Sequence, residues 1–191
     1  MQKTQLTLQK ITVFGSIVLA SLMIVYALGF STNIFNLMYH SDPDSRLFYV
    51  PGAELYLEAQ PFNRLLFSHA LALFAVCITM FVTLTHRRRL YYISNYITSL
   101  AFAGYAVYVG NMMLGKAAEY KGRYLEVDFE RLLAVTERFR MNYSDSTFML
   151  DTGMVMSVLL MVFAGLLVVN LVLKTIWMSR EKWLDEPAEV R

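Results

Sequence analysis

The fold expected from the sequence is an all-α integral membrane protein: an antiparallel four-transmembrane-helix bundle with a small extracytoplasmic helical cap. Three observations predict it. Four stretches, 11–30, 65–84, 93–114 and 154–173, contain no charged residue and no proline. Each is about 20 residues long, enough at ~1.5 Å per residue to cross a ~30 Å hydrocarbon core. Composition agrees, with 57% hydrophobic and only 17% charged residues, against roughly 25% charged in an ordinary soluble domain. The mean hydropathy is +0.44. Third, the basic residues gather at one side of the spans.

The same composition excludes several classes. A net charge of +2, from 17 Lys and Arg against 15 Asp and Glu, is too balanced for a nucleic-acid partner. The single cysteine, Cys77, rules out an intrachain disulfide and a cysteine metal cluster. Residues 1–191 read as one membrane domain with two outer loops, 31–64 and 115–153.

The first span follows Lys3 and Lys10, which resemble the basic flank of a signal peptide. Its apolar run far exceeds the usual 7–15 residues, so a retained helix is expected. In loop 31–64, Ser41-Asp-Pro-Asp-Ser45 is a turn signal. Pro51 and Pro61 read as first helical residues, giving a short helix over 53–60 and a new helix from Pro61. The loop is rich in apolar and aromatic residues, including Phe35, Tyr39, Tyr49 and Leu57. A freely solvated linker would not keep them.

Between the second and third spans, the hairpin 85–92 carries Arg87, Arg88 and Arg89 with no acid, a cytoplasmic signal. Lys174, Arg180 and Lys182 come after the fourth span in the same way. The outer loops are acidic or balanced: two basic residues against four acids in 31–64, and six against seven in 115–153. Both termini are therefore expected in the cytoplasm, in a plasma or cytoplasmic membrane. Trp177, Trp183, Tyr91 and Tyr92 fit an interfacial aromatic belt.

The third span is unusually polar. Asn95, Tyr96, Tyr105, Tyr108 and Asn111 are candidate intramembrane polar residues, together with His69 of the second span. Helix-to-helix hydrogen bonds are the commoner use of such groups, which would place the third helix inside the bundle. Ser16/Ala20 and Ser99/Ala103 are small-xxx-small pairs suited to close helix packing. The fourth span is mostly Val, Leu, Met and Phe and is expected to face lipid.

In loop 115–153, Leu125, Phe129, Leu132, Thr136 and Phe139 recur at i, i+4, i+7, i+11 and i+14, one face of a helix expected near 120–141. Leu125, Phe129, Leu132 and Phe139 are the candidate partner-docking stripe, to be covered by the first outer loop or by another protein. A stop is expected at Asn142, with Ser144 or Ser146 capping the next segment.

No catalytic set, metal site or cofactor site is expected. His40-x-Asp42-x-Asp44 reads as a polar turn, His86 as an interface residue, and His69 has no second histidine at its depth for haem. The spans lack the buried carboxylates that ion-coupled carriers use. The function expected is a non-catalytic accessory or structural subunit of a larger membrane complex, such as a transporter. Its partners would be other integral membrane subunits and the lipid bilayer, with a hetero-complex favoured over a homo-oligomer. The alternatives are a homo-oligomeric channel or small-solute pathway lined by Tyr96, Tyr105, Tyr108 and Asn111, and, more weakly, a membrane enzyme or haem or metal protein using His40 or His69.

Overall fold

The computed structural model describes residues 2–42, 44, 48–84, 89–138 and 145–181. His86, Arg87, Arg88, Phe139, Asn142, Ser144, Lys182 and Trp183 lie outside the described residues. The described chain is all-helical, without strands. Helix α1 spans Gln2–Gly29, α2 Leu55–Leu84, α3 Arg89–Leu125, α4 Phe129–Arg138 and α5 Phe148–Glu181. Two 3₁₀ segments, Phe30–Thr32 and Ile34–His40, come after α1. Four stretches are long and apolar enough to cross a membrane: Thr7–His40, Leu55–Thr83, Ile93–Leu125 and Phe148–Ile176.

Each long helix packs against two others. α1 lies against α2 and α5, and α3 lies against the same two, most extensively α5. The outward faces carry Phe14, Val25, Leu28, Ile97, Leu100 and Val155, all exposed. Apolar side chains around the whole circumference suit helices whose outer face meets lipid.

The helices outrun the charge-free windows. α3 has 37 residues, about 55 Å at 1.5 Å per residue, so a good part of it stands outside a ~30 Å hydrocarbon core. α2 runs unbroken through Pro61, so there is no separate helix over 53–60 and no new start at Pro61. Pro51 lies within a turn, closed by the Ala53 amide on the Val50 carbonyl, and does not open a helix. The reason is packing. Leu55, Ala59, Phe62, Leu66, Ala70, Leu73, Cys77 and Met80 form one buried stripe at three- and four-residue steps across the proline. Pro61 itself is exposed on the opposite side. The stripe offsets the one backbone hydrogen bond that proline removes.

Close approach between helices depends on glycines. Phe163 of α5 lies over Gly15 of α1, and Tyr26 of α1 lies over Gly153 of α5, leaving no room for a Cβ at either position. At Gly110 of α3, a Cβ would stand 2.8 Å from Met161 Cγ and 3.2 Å from the Ser157 carbonyl. The small residues Ser16, Ala20, Ser99 and Ala103 are buried as their spacing suggests. Ala101 and Gly104, by contrast, face outward. Gly153→Ala is expected to cost about 1–3 kcal/mol by overpacking, measured as thermal unfolding in detergent. Tyr26→Phe in the same chain should recover part of that loss, because the hydroxyl is the nearest obstructing atom. No recovery would mean the pair does not set the helix spacing.

Candidate functional site

Two regions concentrate the chemistry: a buried polar network at one end of the long helices, and a bonded platform at the other.

The network centres on Asn95, near the start of α3 and almost wholly buried. Its Oδ1 accepts Gln9 Nε2 of α1 and Lys174 Nζ of α5, both at 3.0 Å. Its Nδ2 donates to the Met80 carbonyl (3.1 Å) and Thr83 Oγ1 (3.2 Å) of α2. One carboxamide therefore touches all three other long helices. Gln5 Nε2 extends the network to Gln9 Oε1 and Asn170 Oδ1, both at 3.0 Å. In a low-dielectric interior such groups are stable only when bonded to one another.

Lys174 differs from expectation. It reads as a cytoplasmic surface charge, yet it is 7% exposed and turned into the network. Its long apolar stem makes this feasible, since four methylenes can be buried while the ammonium finds an acceptor. Asn170 also departs from the greasy character expected of the fourth span, and is fully buried. No sequence expectation singles out Gln5, Gln9 or Asn170. A signal is nevertheless present, because Gln5, Gln9, Thr12 and Ser16 recur at i, i+4, i+7 and i+11 on an otherwise apolar helix.

The six intramembrane polar candidates fall in separate places. Asn95 is the network hub. His69 and Tyr105 join α2 to α3, with His69 Nδ1 2.5 Å from the Tyr105 hydroxyl. Tyr108 completes this group, its ring 5.8 Å from His69 and 6.4 Å from Tyr105 between centroids. His69 Nε2 is buried and has no partner among the described residues. The trio can exchange a hydrogen bond between imidazole and phenol and can take one further small polar group at Nε2. Tyr96 bonds Thr175 Oγ1 of α5 at 2.8 Å. Asn111 is exposed, and Tyr108 is more than half exposed. Tyr96, Tyr105, Tyr108 and Asn111 thus do not line one interior face; α3 is more enclosed than α2 and about as enclosed as α5. Among the described residues no three His, Cys, Asp or Glu gather at metal-ligating distance. His40 is buried and donates Nδ1–H to the Phe48 carbonyl at 2.7 Å. Asp42 Oδ1 accepts the Asp44 amide at 3.0 Å, closing the turn that the sequence suggests.

At the opposite end, Asn33 is the organising side chain. Its Oδ1 accepts the Met149 amide at 2.9 Å, capping the first turn of α5, and its Nδ2 bonds the Ser146 carbonyl. Its own carbonyl accepts the Tyr124 hydroxyl at 3.3 Å. Ser146 Oγ accepts the Phe148 amide at 3.2 Å, the capping expected of it. Arg123 of α3 grips Glu58 of α2 with both terminal guanidinium nitrogens. Lys121 reaches Asp151 of α5 at 2.6 Å. The Tyr49 hydroxyl donates to Glu54, which pushes the phenol up and holds the carboxyl below the ordinary range.

The docking stripe is not on one helix. α3 ends at Leu125, and α4 starts at Phe129. Asp128 makes the break: its Oδ1 accepts the Arg131 amide (3.0 Å) and its carbonyl accepts Leu132 N–H (2.9 Å), opening a new helix. Leu132 is fully buried within the chain, and Phe129 is half-buried with its ring 5.2 Å from Tyr124. Leu125 is 60% exposed at the end of α3. Phe139 lies outside the described residues. Gly52 has φ +88°, and a Cβ there would stand 3.2 Å from Val127 Cγ2 and 3.3 Å from Val127 Cα. The first loop and the α3–α4 break are thus in direct contact. No feature of the sequence marks Gly52 or Asn33 for these long-range roles.

No family model, no curated protein and no solved structure matches this chain.

Proposed function

We propose that the protein is a non-catalytic accessory or structural subunit of a larger membrane complex, such as a transporter. In this reading it is an antiparallel four-helix bundle in a plasma or cytoplasmic membrane, with both termini in the cytoplasm. The platform around Asn33, Gly52 and α4 is then a small extracytoplasmic cap. Arg87, Arg88 and Arg89 support the orientation, because basic, acid-free hairpins stay inside.

The carrying observation is the character of the platform's surface. It is tied together by Asn33, the Gly52–Val127 contact and, at its surface, the Arg123–Glu58 and Lys121–Asp151 pairs. Its exterior nevertheless presents Tyr39, Leu57, Leu125 and Phe148, between 53% and 69% exposed and all outside the charge-free spans. An ordered surface that keeps large apolar side chains exposed suits protein contact. Other integral membrane subunits fit best, since they can meet the lipid-facing helices and this surface together.

Leu57→Glu and Phe148→Glu test the reading. Both sites are exposed, so each variant should keep the wild-type unfolding temperature in detergent. Each should lose a stoichiometric membrane-protein partner recovered with the wild type from cross-linked native membranes. Recovery of the wild type as a symmetric homo-oligomer, or as a partner-free monomer, would overturn the accessory-subunit reading.

A further inference from the structure

Between α1 and α2, at the platform end, the surface opens into a groove of about 410 Å³ lined by Ala27, Leu28, Asn63, Arg64, Phe67 and Ser68. Its size is in the range of small-molecule sites, ~300–1,000 Å³. Its chemistry is divided. Ala27, Leu28 and Phe67 give an apolar floor and wall. Arg64 sits at the rim, at the first position before the charge-free run 65–84, which is the depth of lipid headgroups. Arg64 makes no ion pair among the described residues, although Lys116, Lys121 and Arg123, at the same end of the molecule, each have a carboxylate. Beside it, Asn63 Oδ1 is buried and has no hydrogen-bond partner among the described residues. Ser68 is already committed, its hydroxyl donating to the Arg64 carbonyl at 3.0 Å.

We propose that this groove binds one glycerophospholipid whose headgroup carries a hydrogen-bond donor as well as the phosphate. The phosphate meets Arg64, whose planar guanidinium suits bidentate contact with phosphate oxygens. The headgroup amine or hydroxyl supplies the donor that Asn63 Oδ1 lacks, which otherwise carries an uncompensated desolvation cost. An acyl chain runs down the apolar wall between the two helices. A free anion would satisfy Arg64 but would leave that wall and Asn63 Oδ1 unserved, so a lipid fits the groove where an anion alone does not.

Native mass spectrometry of the full chain, exchanged into mixed micelles, tests the proposal. Phosphatidylethanolamine or phosphatidylglycerol should be retained as a single bound copy. Phosphatidylcholine, with the phosphate but no headgroup donor, should be retained about tenfold less, the equivalent of about 1.4 kcal/mol. Arg64→Gln should reduce retention of all three by about tenfold or more, while the unfolding temperature without added lipid stays that of the wild type. Asn63→Leu should erase the preference over phosphatidylcholine and keep the dependence on Arg64. Equal retention of the three lipids by wild type overturns the headgroup assignment. Unchanged retention in Arg64→Gln overturns the site. Inorganic phosphate matching the lipid's stabilising effect on delipidated protein would show an anion site and overturn the lipid proposal.

Discussion

Asn95→Leu should lower the unfolding free energy of the detergent-solubilised protein by about 3–5 kcal/mol. Two kinds of bond contribute. Neutral side-chain hydrogen bonds between membrane helices average only ~0.6 kcal/mol, and Asn95 makes three of them, to Gln9, Met80 and Thr83. Its contact with the Lys174 ammonium is charge-assisted, and such bonds contribute ~1.5–3 kcal/mol. The ammonium contact is therefore the largest single contribution, and the loss should depend on residue 174. In Asn95→Leu/Lys174→Met the buried charge is gone and most of the stability should return, as when a buried ion is replaced by an apolar side chain of similar volume. A double-mutant cycle by denaturant unfolding measures the coupling. Strictly additive losses would show that Asn95 acts through its neutral partners alone.

Gly52→Val should disturb the other end of the molecule by about 2–4 kcal/mol. A left-handed backbone costs ~1–2 kcal/mol for an L-residue, and a β-branched side chain tolerates it least. Overpacking adds a similar amount, because Val127 backbone stands 3.3 Å from where the new Cβ would be. The turn also carries the hydrogen bonds Val50 N–H to His40 carbonyl (3.2 Å) and Leu55 N–H to Gly52 carbonyl (3.3 Å). Hydrogen exchange should therefore speed up at Val50, Leu55 and Leu132, while Leu73 and Leu160 in the bundle stay protected. Gly52→Asn, which tolerates positive φ better, should show a smaller change and so separate backbone strain from crowding. Unchanged exchange at Leu132 in Gly52→Val would mean that the loop does not brace α4.

The four long helices are legible in the sequence because lipid imposes a simple condition: an uncharged run of sufficient length. The same condition hides their ends. Lys10 closes the first window, so Gln5 and Gln9 fall outside it, although the helix starts before them. Lys174 reads by charge alone as a surface group, and burial of its stem has no local sequence mark. Asn95 stands out because a carboxamide in an apolar run is costly unless bonded, whereas its partners come from three distant segments. At the platform, helical spacing suggests one helix through Leu125 and Phe129. The local competition won by Asp128, and the tertiary contact at Val127, divide it. Pro61 fails as a boundary for the opposite reason, since a long packing stripe outweighs a local preference.

The two ring-over-glycine contacts between α1 and α5 also limit how the protein can move. Gly15 and Tyr26 are 11 residues apart in α1, and Gly153 and Phe163 are 10 apart in α5, about 16 and 15 Å along the respective axes. The contacts act as two pegs in two sockets at matched spacing. A slip of one helical turn, ~5.4 Å, would pull both pegs free together and drive each ring into a residue with a side chain. α1 and α5 are thus held in one register, and the close approach of Gly110 of α3 to Met161 of α5 ties α3 to the same frame, so sliding along the helix axes is closed to these three helices.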